Sequence, residues 1–419
     1  MIRISLRLLK IIFLAIVSLY QISIAKEQPV DTLVTGNNTF ALKLYKQLGG
    51  QGNLFFSPFS VSSAMGMVYA GAEGTVGDEI KTALNFQLDQ ANLHSTFNKL
   101  NNKLMTNAEE SGQTLDIANG LCIQRSVKEE YQNFLKTNYN AEIFKGNVEK
   151  INNWANEKTR GKIPKILDSL DPRSVCVILN AVYFKSTWQT EFNKKDTRDD
   201  MFKLSHRKKK GFSDWFSIKQ IKVPLMYQQS TFYLLEEEDF QAISIPYKGQ
   251  TMSMVIFLPR EIDGLDEFEK NMTSENLNLW LQDIDNKTRI HKKDRFSITS
   301  GMQIVKLFLP KFELNTSYDL VKSFSNLGMS KAFEFSWDFK RINYRDLKID
   351  QIKHKAFVKV DEEGTEAAAV TAIGMSEIKS AKIGPPIAVF KADHPFLFMI
   401  RDNETGSILF MGRITDPRG

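Results

Sequence analysis

Residues 360–390 read VDEEGTEAAAVTAIGMSEIKSAKIGPPIAVF. A Glu362-Glu363-Gly364 turn opens it, and Gly384-Pro385-Pro386 follows near its end. Such punctuation predicts a loop, yet Ala367 to Ser376 carries no charge, no proline and nothing larger than Ile or Met. Exposed connections carry polar and turn-forming residues instead, because those satisfy their own backbone groups in water. Read with a strand's period of two, one set is Thr365, Ala367, Ala369, Thr371, Ile373 and Met375; the other is Glu366, Ala368, Val370, Ala372, Gly374 and Ser376. The first set suits burial throughout, and the single charge, Glu366, falls on the other face. The segment predicts a spare strand. The polar tip after it, Ser376-Glu377-Ile378-Lys379-Ser380-Ala381-Lys382, is suited to presentation to a protease.

The rest of the chain supplies a body for that strand. Asn38 is placed to cap a helix ending at Gly49-Gly50, and Ser57-Pro58 to start another. Val61 to Gly71 has small residues and Met all round, the pattern of a helix buried on every side. Leu93, Phe97, Leu100 and Leu104 recur at helical spacing and predict a surface helix over Gln90–Asn107. Leu115–Ile123 reads as a strand, Val127–Asn138 as a polar helix, and Ile151 onward as a helix around Trp154 that Gly161 and Pro164 break. Val175 to Phe184 is a near-continuous apolar run, as in a central strand covered on both faces, with Asn180 as a buried amide that needs partners. Hairpins follow: 242–246 with 252–258 across Lys248-Gly249, and 395–400 with 407–412 across 403–406. Helices dominate early and hairpins late, without a repeat or linker, which predicts one α+β domain.

The 419 residues, 42% hydrophobic and 25% charged, have an ordinary globular composition. The first segment differs: Arg3, Arg7 and Lys10 precede the apolar run Ile11–Tyr20, and Ser23-Ile24-Ala25 is a cleavage-site pattern. We read residues 1–25 as a secretory signal peptide and 26–419 as the mature domain, because about ten apolar residues are half of what a bilayer span needs. Loss of that segment lowers the formal charge from +6 to +3, which gives no support to nucleic-acid binding. Sequons at Asn37, Asn271, Asn286, Asn315 and Asn403 agree with a glycosylated, extracellular protein. Cys122 and Cys176 have no metal-site spacing; they form one disulfide or stay buried thiols, and the apolar runs around them favour thiols. The chain lacks G-x-S-x-G, H-E-x-x-H, a phosphate-cradling glycine loop and clustered metal ligands, so neither an enzyme nor a metal or cofactor site is expected.

Taken together and in order, NLFFSPFSVSSAM (53–65), GKIPKIL (161–167), LNAVYFKSTW (179–188), VDEEGTEAAA (360–369) and FKADHPFLFMI (390–400) resemble the serpin family of serine-protease inhibitors over nearly the whole mature chain. The resemblance implies a single α+β domain of three β-sheets and eight or nine helices, with an exposed reactive-centre loop. It assigns Ser57, Ser60, Asn180 and His354 to the family's shutter, a polar cluster beneath the main sheet, and Trp188 to its breach, where the loop enters. Glu362, Gly364, Thr365, Glu366, Ala367, Ala368 and Ala369 match the hinge of inhibitory members. It also implies a mechanism: a protease cleaves the tip, and the freed segment inserts into the main sheet while still acylated to the enzyme. Small inward residues lower the barrier to entry, and a charge or proline there would raise it.

The expected function is therefore that of a secreted, monomeric suicide-substrate inhibitor whose partner is a serine protease. Counting from Gly364 as in the family gives Ile378–Lys379 as the reactive bond, an elastase-like target. The chemistry favours Lys379–Ser380, because a trypsin-like pocket carboxylate pairs with Lys, and leaves Lys382–Ile383 a remote third. A non-inhibitory member acting as carrier or storage protein is the alternative. One departure from the family pattern is His206–Phe216, where Arg207, Lys208, Lys209 and Lys210 stand beside Trp215 and Phe216. It reads either as a solvated insertion or as a patch for a sulfated polysaccharide or an anionic membrane.

Overall fold

The structure, a computed structural model, describes residues 29–204, 219–293, 302–365 and 387–419, and of residues 286–293 the backbone alone. The helices are α1 (Pro29–Leu48), α2 (Pro58–Gly71), α3 (Gly74–Ala83), α4 (Gln90–Glu110), α5 (Glu129–Tyr139), α6 (Val148–Lys158), α7 (Leu265–Asn271), α8 (Ser274–Lys293) and α9 (Val321–Asn326). Strands β1 (Leu54–Phe56), β2 (Thr114–Ile123), β3 (Glu142–Phe144), β4 (Cys176–Thr187) and β5 (Arg198–Lys203) lie among the early helices. Then come β6 (Gln220–Glu236), β7 (Phe240–Pro246), β8 (Met252–Pro259), β9 (Met302–Pro310), β10 (Phe312–Asp319), β11 (Gln351–Val360), β12 (Gly364–Thr365), β13 (Ala388–Lys391), β14 (Phe396–Asp402) and β15 (Ile408–Ile414).

Two sheets form among the described residues. One has six strands in the order β10-β11-β12-β4-β2-β3; the other has nine, β1-β15-β14-β8-β7-β6-β9-β13 with β5 alongside β6. Three sheets were expected. The difference lies in β6, which runs unbroken for 17 residues: its first part pairs with β5 and its last with β7, so two layers become one continuous ladder.

The apolar α2 lies between the sheets, touching β15 on one side and β2 and β4 on the other, with α1 and α4 beside it. Ser57 caps it by accepting from the Ser60 N–H, and Pro58 occupies its first turn. Its small residues are needed for this fit: a Cβ on Gly71 would meet Ile342 at 2.1 Å. Phe55 stacks against Phe398 and Phe410 with ring centroids 5.8 and 5.4 Å apart. Each fully buried aromatic of this kind contributes roughly 1.5–3 kcal/mol.

Local signals misplace one helix start. The helix that Asn38 was expected to cap already runs from Pro29, and Asn38 instead donates to the Gly406 carbonyl and accepts from the Ile408 N–H, tying α1 to the last hairpin. The cysteines are free and buried. Cys122 lies opposite Val177, and Cys176 opposite Ile123, in the antiparallel β2–β4 pair. Directly paired residues share a face, so adjacent pairs face opposite ways, and the two thiols project from opposite sides of the sheet.

Candidate functional site

The site is the seam between β4 and β11 in the six-stranded sheet. Over Gln351–Phe357 the two strands pair directly and in parallel, with His354 opposite Asn180. Higher up they part. β11 ends at Val360, the chain turns through Asp361-Glu362-Glu363, and β12 comes back down between them. Gly364 and Thr365 pair with Thr187 and Ser186 of β4, and Thr365 also pairs with Val360 of β11. The first residue of the inward set predicted from periodicity is thus already in the sheet, with 0% exposure.

Below the split, a buried polar cluster bridges the seam. The Ser57 N–H donates to His354 Nε2 at 3.0 Å, so the imidazole proton resides on Nδ1, which donates to Asn180 Oδ1 at 2.6 Å. The Asn180 amide donates to Ser60 Oγ at 2.5 Å and Asn119 Oδ1 at 2.8 Å, and Ser57 Oγ donates to the Leu409 carbonyl. The sequence reading grouped four of these residues and missed Asn119. Complete burial pushes the His354 pKa down to about 3. A neutral ring is what the cluster requires, since a second proton on Nε2 would face a donor.

Above the split, Trp188 and the turn hold one another. Trp188 Nε1 donates to the Asp361 carbonyl, its N–H to the Glu363 carbonyl, and the Phe192 N–H to the Glu362 carbonyl. The indole stacks on Tyr247 at 4.7 Å and 7°. Tyr247, which the sequence reading did not single out, reaches Thr365 through a hydroxyl–hydroxyl hydrogen bond of 2.7 Å. Glu362 is 4% exposed; its carboxylate accepts from Thr197 Oγ1 and Lys311 Nζ, both at 2.8 Å. Burial pushes this carboxyl up, but the bonds from Lys311, its own backbone N–H and Thr197 outweigh that and hold it below its ordinary value. Glu363 pairs with Lys194 at the surface. Gly364 has no room for a side chain, because a Cβ would lie 2.0 Å from the Ser186 carbonyl oxygen.

The remaining expectations divide. Glu366, Ala367, Ala368 and Ala369 of the hinge, the reactive-bond candidates Ile378, Lys379 and Ser380, and the basic run Arg207–Lys210 lie outside the described residues. Of the sequons, Asn37 is corrected: it is 3% exposed within α1 and accepts from Ser62 Oγ, so a glycan there is incompatible with the fold. Asn403 is tied to the Gln250 carbonyl and Ser253 Oγ. Asn271 and Asn315 are exposed, and the side chain of Asn286 lies outside the description. Among the described residues, no group of His, Cys, Asp and Glu is placed to hold a metal, and no helix is long and apolar enough to cross a membrane.

The family model for serpins (serine protease inhibitors) matches residues 35–417. An uncharacterised serpin-like protein of Thermococcus kodakarensis is 36% identical over 94% of this chain and 88% of its own. The leukocyte elastase inhibitor of Sus scrofa is 34% identical over 93% of this chain and 100% of its own. Among solved structures, human thyroxine-binding globulin complexed with thyroxine superposes with a TM-score of 0.79 at 25% identity, covering 94% of this chain and 100% of that one. The chain belongs to the serpin family.

Proposed function

We propose that this protein is a secreted suicide-substrate inhibitor of serine proteases that traps its target by inserting the cleaved loop between β4 and β11. The observation that carries this reading is Thr365, held between those strands in antiparallel register before any cleavage. The protease's serine oxygen attacks the carbonyl of the scissile bond, the C–N bond breaks, and the new amine leaves with the proton. The loop's N-terminal half stays esterified to the enzyme, and its small inward residues follow Thr365 into the seam. Lys379–Ser380 is the proposed bond, with a trypsin-like target; Ile378–Lys379 would make the target elastase-like. Residues 1–25 direct secretion, and residues 26–419 form the single working domain.

A carrier role is favoured by the likeness to thyroxine-binding globulin and by a cavity of about 570 Å³ lined by Tyr233, Ile245, Gln250, Asp285, Asn403 and Glu404. Its charged groups are already engaged: Asp285 accepts from Arg401 through both oxygens, and Glu404 pairs with Lys103. Inhibition therefore remains the better-supported reading. Incubation with trypsin-like and elastase-like proteases tests it: an SDS-stable complex is expected, and loop cleavage alone would refute it. The mass of the released C-terminal peptide identifies the bond, Ser380 being the expected first residue.

A further inference from the structure

We propose that Tyr247 starts loop insertion: its hydroxyl fixes Thr365 in the mouth of the β4–β11 seam before cleavage, and so raises the share of cleavage events that end in trapping. This inference rests on the inhibitory reading above and adds a positioning residue to it.

Three observations carry it. First, Tyr247 cannot move out of the way. Its ring is fully buried between the indole of Trp188 and Phe184, stacked on the former at 4.7 Å and edge-on to the latter at 5.3 Å. Its N–H donates to the Met252 carbonyl, and it forms a β-bridge with Trp188. Second, both hydroxyls are buried and satisfy each other at 2.7 Å, so separating them leaves two unpaired polar groups away from water. Burial also raises the phenol's pKa, which keeps its proton available. Third, Tyr247 stands on the hairpin between β7 and β8, and backbone bonds from the Lys248 N–H to the Thr187 carbonyl and from the Gln189 N–H to the Pro246 carbonyl tie that hairpin to the end of β4, so the hydroxyl stays with one wall of the seam as the strands part below. Thr365 is anchored from the side and from the strand ladder at once.

This anchor matters because trapping is a race. The ester between loop and enzyme either hydrolyses, releasing active protease, or is carried away as the loop inserts. Insertion proceeds residue by residue from the hinge, and the expensive step in such zippering is the first contact, which costs chain entropy before later contacts reward it. With Thr365 already pinned, that cost is met before the race begins.

Tyr247→Phe keeps both ring contacts and deletes only the hydroxyl; Thr365→Val removes the partner at nearly constant shape, and Thr365→Ser restores a hydroxyl. The probes are bovine trypsin and pancreatic elastase, used with the full-length secreted protein. Three quantities are read: the moles of inhibitor consumed per mole of protease silenced, the insertion rate from tryptophan fluorescence, and the rate of loop cleavage. Tyr247→Phe is expected to slow insertion roughly fivefold, as loss of one buried hydrogen bond implies, and to raise the stoichiometry correspondingly, with loop cleavage unchanged. Thr365→Val should match it, the double variant should be no worse than either single one, and Thr365→Ser should approach wild type. Wild-type stoichiometry and insertion rate in both single variants would overturn the proposal, as would additive losses in the double variant. Failure of the wild type to form an SDS-stable complex would instead overturn the inhibitory reading, and this inference with it.

Discussion

The two halves of the β4–β11 seam are made of the same pair of strands and are held in opposite ways. In the lower half the strands pair directly, and the His354–Asn180 bond crosses between them. In the upper half two residues of the hinge hold them apart, and the contacts there, from Trp188, Tyr247, Lys311 and Thr197, go to the hinge turn and β12. The lower half resists opening, and the upper half is already open. What differs is the placement of buried polar groups: below, they join β4 to β11; above, they join residues just outside the strands to the 361–363 turn and β12.

The largest expected effect on this contrast comes from acid. The His354 pKa is lowered to about 3 by burial, and that of His94, buried against Tyr139, to about 4 by burial and then the charge of Arg341. A histidine whose folded pKa lies below its unfolded value stabilises fully above pH 6.5, and the contribution is lost as pH falls toward the folded value. Between pH 6.5 and 4 each histidine should therefore cost about 3 kcal/mol of stability. Denaturant melts across this range test it. His94 lies outside the seam and carries about half of the effect, so His94→Gln should halve the slope, and an unchanged slope would remove His94 from the explanation.

His354→Ala should act next most strongly, and on the lower half alone. It strands the Ser57 N–H and Asn180 Oδ1 in a site without water access, at a cost of about 2–3 kcal/mol in the unfolding free energy. Hydrogen exchange should accelerate in residues 177–183 and 351–357 and stay at wild-type rates in 361–365. Faster exchange at the hinge instead would mean that the two halves are not held independently. Glu362→Gln is the smaller, opposite perturbation. It breaks a buried carboxylate's pair with a Lys311 that is itself 36% exposed in its side chain, so solvent screens much of the interaction and about 1 kcal/mol is expected. Exchange at 361–365 should quicken while the lower half is unchanged. Smallest of all is the thiol result: Cys122 and Cys176 should both react with a thiol reagent only after denaturation, and a disulfide in the native protein would contradict the opposite faces assigned to them.

How far the sequence revealed this arrangement depended on whether a residue's role is periodic or positional. The period-two pattern from Thr365 to Met375 announced a strand, and the structure places its first member inward at 0% exposure. The apolar run around Asn180 announced a central strand with a buried amide, and β4 is that strand. Tyr247, Lys311 and Thr197 were not legible, because each lies far along the chain from the hinge and meets it only through sheet packing. Asn119 carried a faint signal, as an amide next to the apolar end Gly120–Ile123 of its strand. Asn38 misled for a physical reason: a capping residue inside a helix is indistinguishable in sequence from one at its start, and here the side chain serves a tertiary contact. The fused nine-stranded sheet was likewise hidden, since strand length in β6 is fixed by its partners rather than by its own residues.

The central claim is that the seam opens and accepts the loop once the tip is cut. The most direct measurement is the unfolding temperature of the intact protein beside that of the same protein nicked by a protease within residues 376–382. Insertion adds a complete central strand to the six-stranded sheet, so the nicked form should melt higher by roughly 10 °C or more. A nicked form that melts at or below the temperature of the intact protein would contradict the account.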